Sequence, residues 1–360
     1  MTTVQQAMAD LELTLPEVIT GYVDGAAIPV RDGASRHPVH FPGTGEQISS
    51  LQEDDPAAVG EAIECARSHF QDGAWSRAST ATRQSIFRRA ATLIRQHAEA
   101  LGLLECLCAG LPSSHLASRQ VPRAADNLDF FADYIGVMAG ETFEQLPGYQ
   151  TSVTRQPAGV AALFAPWNAP LALASMQIAS SLAFGNTCVL KPSEFTPLSI
   201  LKLVTLMEEA GLPPGTINVV NGRGAVTGAA LAGSPDIDRI AFTGGGSTAR
   251  QVMTAAAAHL TPVHFELGGK SANIILDDAD NIVCTNGFCL LRPKSFEDCV
   301  ILVGNLFSSE FRVQHNAMCT GSIMESISND DIKNIYIRDN IDHEKYKNIM
   351  NALTVIHNEL

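Results

Sequence analysis

Five short apolar runs, separated by stretches long enough to be helical, recur between Val160 and Lys270. The runs are Val160–Ala165, Thr187–Leu190, Thr216–Val220, Arg239–Phe242 and Pro262–Glu266, with candidate helices such as Leu171–Phe184 and Ser199–Ala210 between them. Strands spaced in this way by helices predict βαβ units, hence an α/β fold built on a Rossmann-like open parallel sheet with flanking helices. Ligands of such sheets sit beyond the carboxyl ends of the strands. Polar or Gly-rich motifs fall just past those ends: Pro166-Trp167-Asn168, Lys191-Pro192-Ser193-Glu194, Asn221-Gly222-Arg223-Gly224, Thr243-Gly244-Gly245-Gly246 and Glu266-Leu267-Gly268-Gly269-Lys270.

Upstream, Tyr22-Val23-Asp24-Gly25 and Pro42-Gly43-Thr44-Gly45 carry hairpin-turn chemistry, and residues 1–20 form a lead-in. The Ala-rich amphipathic segment Pro56–Phe70 predicts a helix started by Asp55-Pro56, with further helices over Thr80–Glu99 and Ala117–Ala139. Leu146–Pro157 reads as extended.

Near Asp280 the composition changes abruptly. Residues 1–280 hold 44 Ala and 6 Asn, whereas 281–360 hold 2 Ala and 10 Asn. Two sequences of different origin joined near Asp280 explain this better than drift, and an ordinary second domain with its own bias is the alternative. The expected organisation is a nucleotide-binding domain over 1–280 and an unrelated, small α+β segment over 281–360.

The chain has 360 residues, enough for two or three domains, and is 46% hydrophobic and 17% charged, as soluble globular proteins are. A net charge of −14 argues against nucleic acid or an anionic membrane as the main partner. No apolar run reaches membrane-spanning length, and Met1–Pro16 lacks the layout of a secretory signal. Eight cysteines without a regular framework fit reduced thiols in a cytoplasm, and no His/Cys spacing suggests zinc.

The motifs PWN, KPSE, FTG and ELGGK, in this order and spacing, resemble the cofactor-binding half of the NAD(P)-dependent aldehyde dehydrogenase superfamily, over about Gly21 to Asp280. The resemblance implies NAD as cofactor and a small-molecule aldehyde as substrate. It also puts the Leu146–Pro157 segment in the family's oligomerisation hairpin. It implies that Asn168 donates to the oxyanion, that Glu266 is the general base, and that Pro166 and Trp167 lie among the cofactor contacts. For Asn168 the structural alternative is a cap on the helix that begins near Pro170.

Lys191 and Glu194, three residues apart after a strand, can both reach ribose hydroxyls. A carboxylate there repels a 2′-phosphate, so NAD is preferred over NADP. A surface ion pair is the alternative. Gly224 and Gly228 allow close approach of backbone to the adenine side. Gly244, Gly245, Gly246 and Ser247 open an Ala-rich helix, Thr248–Ala258, whose free N–H groups suit a pyrophosphate. Many relatives carry Ser where this chain has Gly245. Glu266, between an apolar strand and Gly268-Gly269, is expected in a partly desolvated pocket suited to a general base; a solvated strand-end Glu is the alternative.

Aldehyde oxidation by this route also needs a thiolate. The family's cysteine follows the glutamate by some thirty-odd residues, in an Asn-x-Gly-x-x-Cys context. Cys299 lies 33 residues after Glu266, but Glu297 and Asp298 adjoin it and disfavour a thiolate. Asn286-Gly287-Phe288-Cys289 imitates the context at too short a spacing. Neither qualifies as the nucleophile, so the expectation is an aldehyde dehydrogenase-like chain impaired in turnover, or a non-catalytic dinucleotide-binding fragment. Apolar surface that the family's catalytic domain covers is then free for self-association.

In the tail, Gly287-Phe288-Cys289-Leu290-Leu291-Arg292-Pro293, Ser309-Glu310-Phe311, Thr320-Gly321-Ser322 and Asp331-Ile332-Lys333-Asn334-Ile335 resemble the closing part of a type I restriction–modification DNA-specificity subunit. Its 7 Lys+Arg against 10 Asp+Glu oppose a phosphate-binding role.

Overall fold

Residues with continuous apolar character on both sides must be covered on both sides, and the chain meets this demand with helices in pairs. The computed structural model describes residues 3–268 and the strands Asn273–Ile275 and Ile282–Cys284. In order come α1 (Thr3–Asp10), β1 (Val18–Ile19), β2 (Tyr22–Val23), β3 (Ala26–Ala27), β4 (Arg36–His40) and β5 (Gln47–Gln52). Then follow α2 (Pro56–Asp72), α3 (Thr80–Gln96), α4 (Ala98–Ala109), the one-turn α5 (Ser113–His115), a π-helical Leu116–Gln120 and α6 (Val121–Val137). A hairpin of β6 (Glu141–Leu146) and β7 (Tyr149–Val153) leads to β8 (Val160–Phe164), α7 (Pro170–Leu182), β9 (Thr187–Lys191), α8 (Leu198–Glu209) and β10 (Ile217–Val219). After a π turn at Gly224–Gly228 come α9 (Ala229–Ala232), β11 (Arg239–Gly244), α10 (Gly246–Ala257) and β12 (Val263–Leu267). Chain contacts divide the protein into two units, Met1–Gly268 and Gly269–Leu360. In the second, β13 (Asn273–Ile275) pairs antiparallel with β14 (Ile282–Cys284).

All five expected strands form, and they lie parallel in the order β12-β11-β8-β9-β10, extended at one edge by the antiparallel β2-β3 hairpin. Numbered by their own succession, the parallel strands run 5-4-1-2-3, the doubly wound order with its reversal between β8 and β11. Val160, Ala162 and Phe164 face a core shared with α2, α9 and α10, while Ala161 and Leu163 face one shared with α3, α6, α7 and α8. A separate three-stranded sheet, β1-β5-β4, was not foreseen from the pattern. Both foreseen turns form: Asp24 and Gly25 join β2 to β3 at φ +53° and +77°, and Pro42–Gly45 joins β4 to β5.

Several elements differ from expectation. The helix expected over Ala117–Ala139 is α6, Val121–Val137, preceded by the π-helical turn Leu116–Gln120. The helix starting at Thr80 ends at Gln96, and α4 is a separate helix that the periodicity did not reveal. Its buried Leu101, Gly102, Leu103, Leu104, Glu105, Leu107 and Cys108 cover most of its circumference, so no single apolar stripe marks it. The extended segment expected from Leu146 is the second strand of a hairpin that starts at Glu141, turning at Gly148 with φ +82°. The composition change at Asp280, the thiols Cys289 and Cys299, Lys270 and the DNA-specificity motifs lie outside the described residues. Among the described residues no helix is long and apolar enough to cross a membrane.

α4 also positions α7. Glu105, fully buried, accepts the Leu171 N–H at 2.6 Å and so serves the amino end of α7 from another helix. Burial pushes its carboxyl up from 4.5 to about 7, against the Leu171 and Ser199 hydrogen bonds. A raised folded-state value means that the native chain holds more protons than the unfolded chain between those limits, so this group's contribution falls as pH rises through them. Between about pH 5 and about pH 8 the wild type is expected to lose stability relative to Glu105→Gln, read from urea unfolding at each pH; parallel pH curves would contradict this.

Candidate functional site

The strand order reverses between β8 and β11, where doubly wound sheets form a ligand crevice beyond the carboxyl ends, and the expected motifs follow the strands at that edge. Register fixes which side each residue serves. Lys191, Phe164, Phe242 and Phe265 pair across four strands and form one row. Their rings stand 5.9 Å (Phe164–Phe242) and 6.0 Å (Phe242–Phe265) apart on the α9/α10 face. One residue further, Thr243 pairs with Glu266 on the opposite face. There Gln177 of α7 donates both to the Phe164 carbonyl at 3.1 Å and to Thr243 Oγ1 at 2.9 Å, tying β8 to β11 beneath the crevice.

Lys191 is 5% exposed. Its Nζ donates to the Pro192 carbonyl at 2.9 Å and lies 3.7 Å from Glu194 Oε2. Burial lowers the lysine's pKa, and Glu194 opposes that shift. The lysine stem runs beside Gly228, where an added Cβ would stand 3.5 Å from Lys191 Cδ. Lys191, Glu194 and Gly228 are therefore brought together on the α9 side.

The Asn221–Gly224 loop is held by groups that the sequence pattern did not single out. Asp54 and Asn221 exchange backbone-directed bonds: Asp54 N–H donates to the Asn221 carbonyl at 2.7 Å, and Asn221 N–H to Asp54 Oδ2 at 2.8 Å. Arg223 donates to both oxygens of buried Glu53, at 2.9 and 3.0 Å. Gly222 sits at φ +147°, and a Cβ there would come within 2.0 Å of Thr227 Oγ1. The Arg223 hydrogen bonds hold the Glu53 carboxyl down at about 2, whereas burial pushes Asp54 up to about 6 despite Arg31 at 3.0 Å. Gly224 itself is exposed with open space around it.

At β11 an added Cβ on Gly244 would meet the Phe242 ring at 2.7 Å. Gly245 caps α10 without a side-chain bond, and the helix starts at Gly246, two residues ahead of expectation. Its first amides, on Gly246, Ser247 and Thr248, are exposed and have no partner within the helix, which gives an anion-attracting end. Both Gly245 and Gly246 have open space where a side chain would be.

Pro166 is half-buried, and Trp167 and Asn168 are exposed. Asn168 does not cap α7: the cap position is Ala169, with no side-chain bond, and Glu105 supplies the acceptor instead. Glu266 does not have the partly desolvated setting expected for it. β12 is the sheet edge, and the carboxylate is 58% exposed with His264 Nε2 at 3.2 Å. Glu266 lies on β12 and Asn168 four residues past the end of β8, the two strands that flank β11.

The Aldehyde dehydrogenase family profile matches residues 30–287. A betaine aldehyde dehydrogenase of Cereibacter sphaeroides is 42% identical over 259 residues, covering 72% of this chain and 53% of that protein. The putative aldehyde dehydrogenase DhaS of Bacillus subtilis is 37% identical over 259 residues, covering 72% and 52%. Among solved structures, betaine aldehyde dehydrogenase from Staphylococcus aureus in complex with NAD+ superposes with a TM-score of 0.70 at 34% identity, covering 77% of this chain and 54% of that one. The chain thus spans about half the length of the curated relatives it matches.

The Glu53–Arg223 pair generates a stability test. Its depressed folded-state value makes Glu53 stabilising above 4.5, with the contribution lost as pH falls toward about 2. Glu53→Gln is expected to be less stable than wild type at neutral pH, through loss of hydrogen bonds to a charged group. In urea titrations the gap from wild type should close through that acid window; a gap independent of pH would refute the assignment.

Proposed function

The chain belongs to the aldehyde dehydrogenase family, and from that premise we propose that residues 1–268 bind NAD at the carboxyl edge of the sheet, for the oxidation of an aldehyde to a carboxylic acid. The observation that carries this reading is the buried Lys191 beside Glu194 and Gly228, on the same sheet face as the open amino end of α10. NAD when bound supplies the acceptor for the two electrons and hydrogen leaving the aldehyde carbon. Lys191 and Glu194 would hold the adenosine ribose, and the glutamate would repel a 2′-phosphate. Gly224 and Gly228 would admit the adenine side, with Pro166 and Trp167 bordering the cofactor. The amides that follow Gly244 and Gly245 would hold the pyrophosphate. The lack of any bulk at Gly245 and Gly246, where an added Cβ meets nothing within 4 Å, supports such a fit.

Asn168, exposed and not spent on capping, would donate to the oxygen of the reacting carbonyl. Glu266 would bring water to the acyl group in the second half of the reaction. The nucleophilic thiol is the part this chain lacks in recognisable form. Cys289 and Cys299 do not reproduce the family's setting in spacing and neighbours together, so turnover is proposed to be impaired. That same feature favours a second reading, a dinucleotide-binding protein without catalysis. Exposed Phe130, Tyr134 and Val137 on α6, with Leu146 and Tyr149 on the hairpin, support self-association through apolar surface.

Calorimetric titration of the full chain should give NAD binding stronger than NADP binding. Glu194→Gln should narrow that preference, and Lys191→Ala should weaken both. No binding at about millimolar NAD would remove the proposal. An aldehyde panel should show weak or no NAD reduction; robust turnover abolished by Cys289→Ala or Cys299→Ala would overturn the impairment.

A further inference from the structure

Helix α2 carries Cys65 and His69 four residues apart, so both project from one face. The helix is seated on the sheet through Val59, Ala62, Ile63 and Ala66, which fixes where those two side chains stand. The β2–β3 turn brings Asp24 to the same place: His69 Nε2 lies 2.8 Å from Asp24 Oδ1. Buried Asn218 of β10 joins the two elements, since its Oδ1 accepts from Asp24 N–H at 3.0 Å and from the Cys65 thiol at 3.4 Å. Its Nδ2 is fixed in turn on the Gly215 carbonyl at 2.8 Å. One oxygen, one sulfur and one nitrogen of ligand type thus lie within 4.8 Å of one another. No sequence spacing announced them, because Asp24 is far from the other two along the chain.

We propose that Asp24, Cys65 and His69 form a zinc site that clips the edge hairpin β2–β3 to α2, with solvent in the fourth position. The donor set argues for this ion. A thiolate disfavours magnesium and calcium, and mixed S, N and O donors suit zinc. Tetrahedral zinc with ordinary bond lengths sets its ligand atoms roughly 3.3–3.8 Å apart. Reaching that spacing requires side-chain rotations that open the 2.8 Å His69–Asp24 contact and bring in any pair now near the 4.8 Å limit. The Asp24 side chain is 63% exposed, which provides an entry route. The turn is already rigid, as Tyr22 donates to the Gly25 carbonyl at 2.8 Å and also bonds Glu208. Binding would replace the thiol proton by the ion. A bare His–Asp pair beside an unrelated thiol is the competing arrangement.

Cobalt, a coloured stand-in for zinc, tests this on the full chain. One equivalent of Co2+ is expected to bind with a sulfur-to-metal charge-transfer band that zinc bleaches. Cys65→Ala should abolish the band. His69→Ala and Asp24→Asn should weaken binding at least about tenfold, since even supporting partners are worth about 10–100-fold. Zinc should raise the Tm of wild type but not of Cys65→Ala, with unchanged far-ultraviolet circular dichroism in both proteins. Asp24→Asn, at an exposed turn, keeps the test valid if the cysteine variant misfolds. Absence of the band, its survival in Cys65→Ala through another of the eight cysteines, or an unaltered affinity in Asp24→Asn would overturn the site.

Discussion

A parallel strand covered on both faces has no room for an unpaired polar side chain except at its ends. β8 and β9 are buried along their whole length, so the polar chemistry of this region gathers where the strands stop. Lys191 is the sharpest case. It is the last residue of β9, in the row of Phe164, Phe242 and Phe265, and its stem lies against Phe164's neighbour Gly228 while its ammonium reaches back to Pro192 and Glu194. A cation kept beside aromatic rings in this way costs solvation, and the downward push on its pKa records that cost.

The loops around the crevice are tied by groups outside the βαβ region. Glu53 and Asp54 follow β5, yet they hold the loop after β10 through Arg223 and Asn221. Glu105 belongs to α4, yet it serves the amino end of α7 and so leaves Asn168 uncommitted. The three carboxyls are tuned in opposite directions by one contest. Where a guanidinium grips the carboxylate the pKa falls, as at Glu53, and where burial prevails it rises, as at Asp54 and Glu105.

The crevice has two sides with different degrees of completion. On the α9/α10 side the cradle residues are packed, bonded and glycine-lined. On the α7 side Asn168 and Glu266 are exposed, and β12 is the edge strand of its sheet among the described residues. The family resemblance covers about half the length of the curated relatives. A carboxylate on an edge strand gains no desolvation from its own sheet, which is why the expected setting of Glu266 is not met within residues 3–268.

The alternation of apolar runs and helices, with glycine-rich punctuation after each run, was enough to give five parallel strands and the edge on which ligands are held. Period and breaker residues are local properties, and a sheet buried on both faces writes them plainly in Val160–Phe164 and Thr187–Lys191. The strand order, and with it the crevice between β8 and β11, came from long-range pairing that no window of residues contains. So did the Glu53–Arg223 and Asp54–Asn221 ties, whose partners are separated by 170 and 167 residues. α4 escaped because a helix buried nearly all round has no stripe, and the meeting of Asp24 with Cys65 and His69 escaped because only the packing of a hairpin against a helix brings them together.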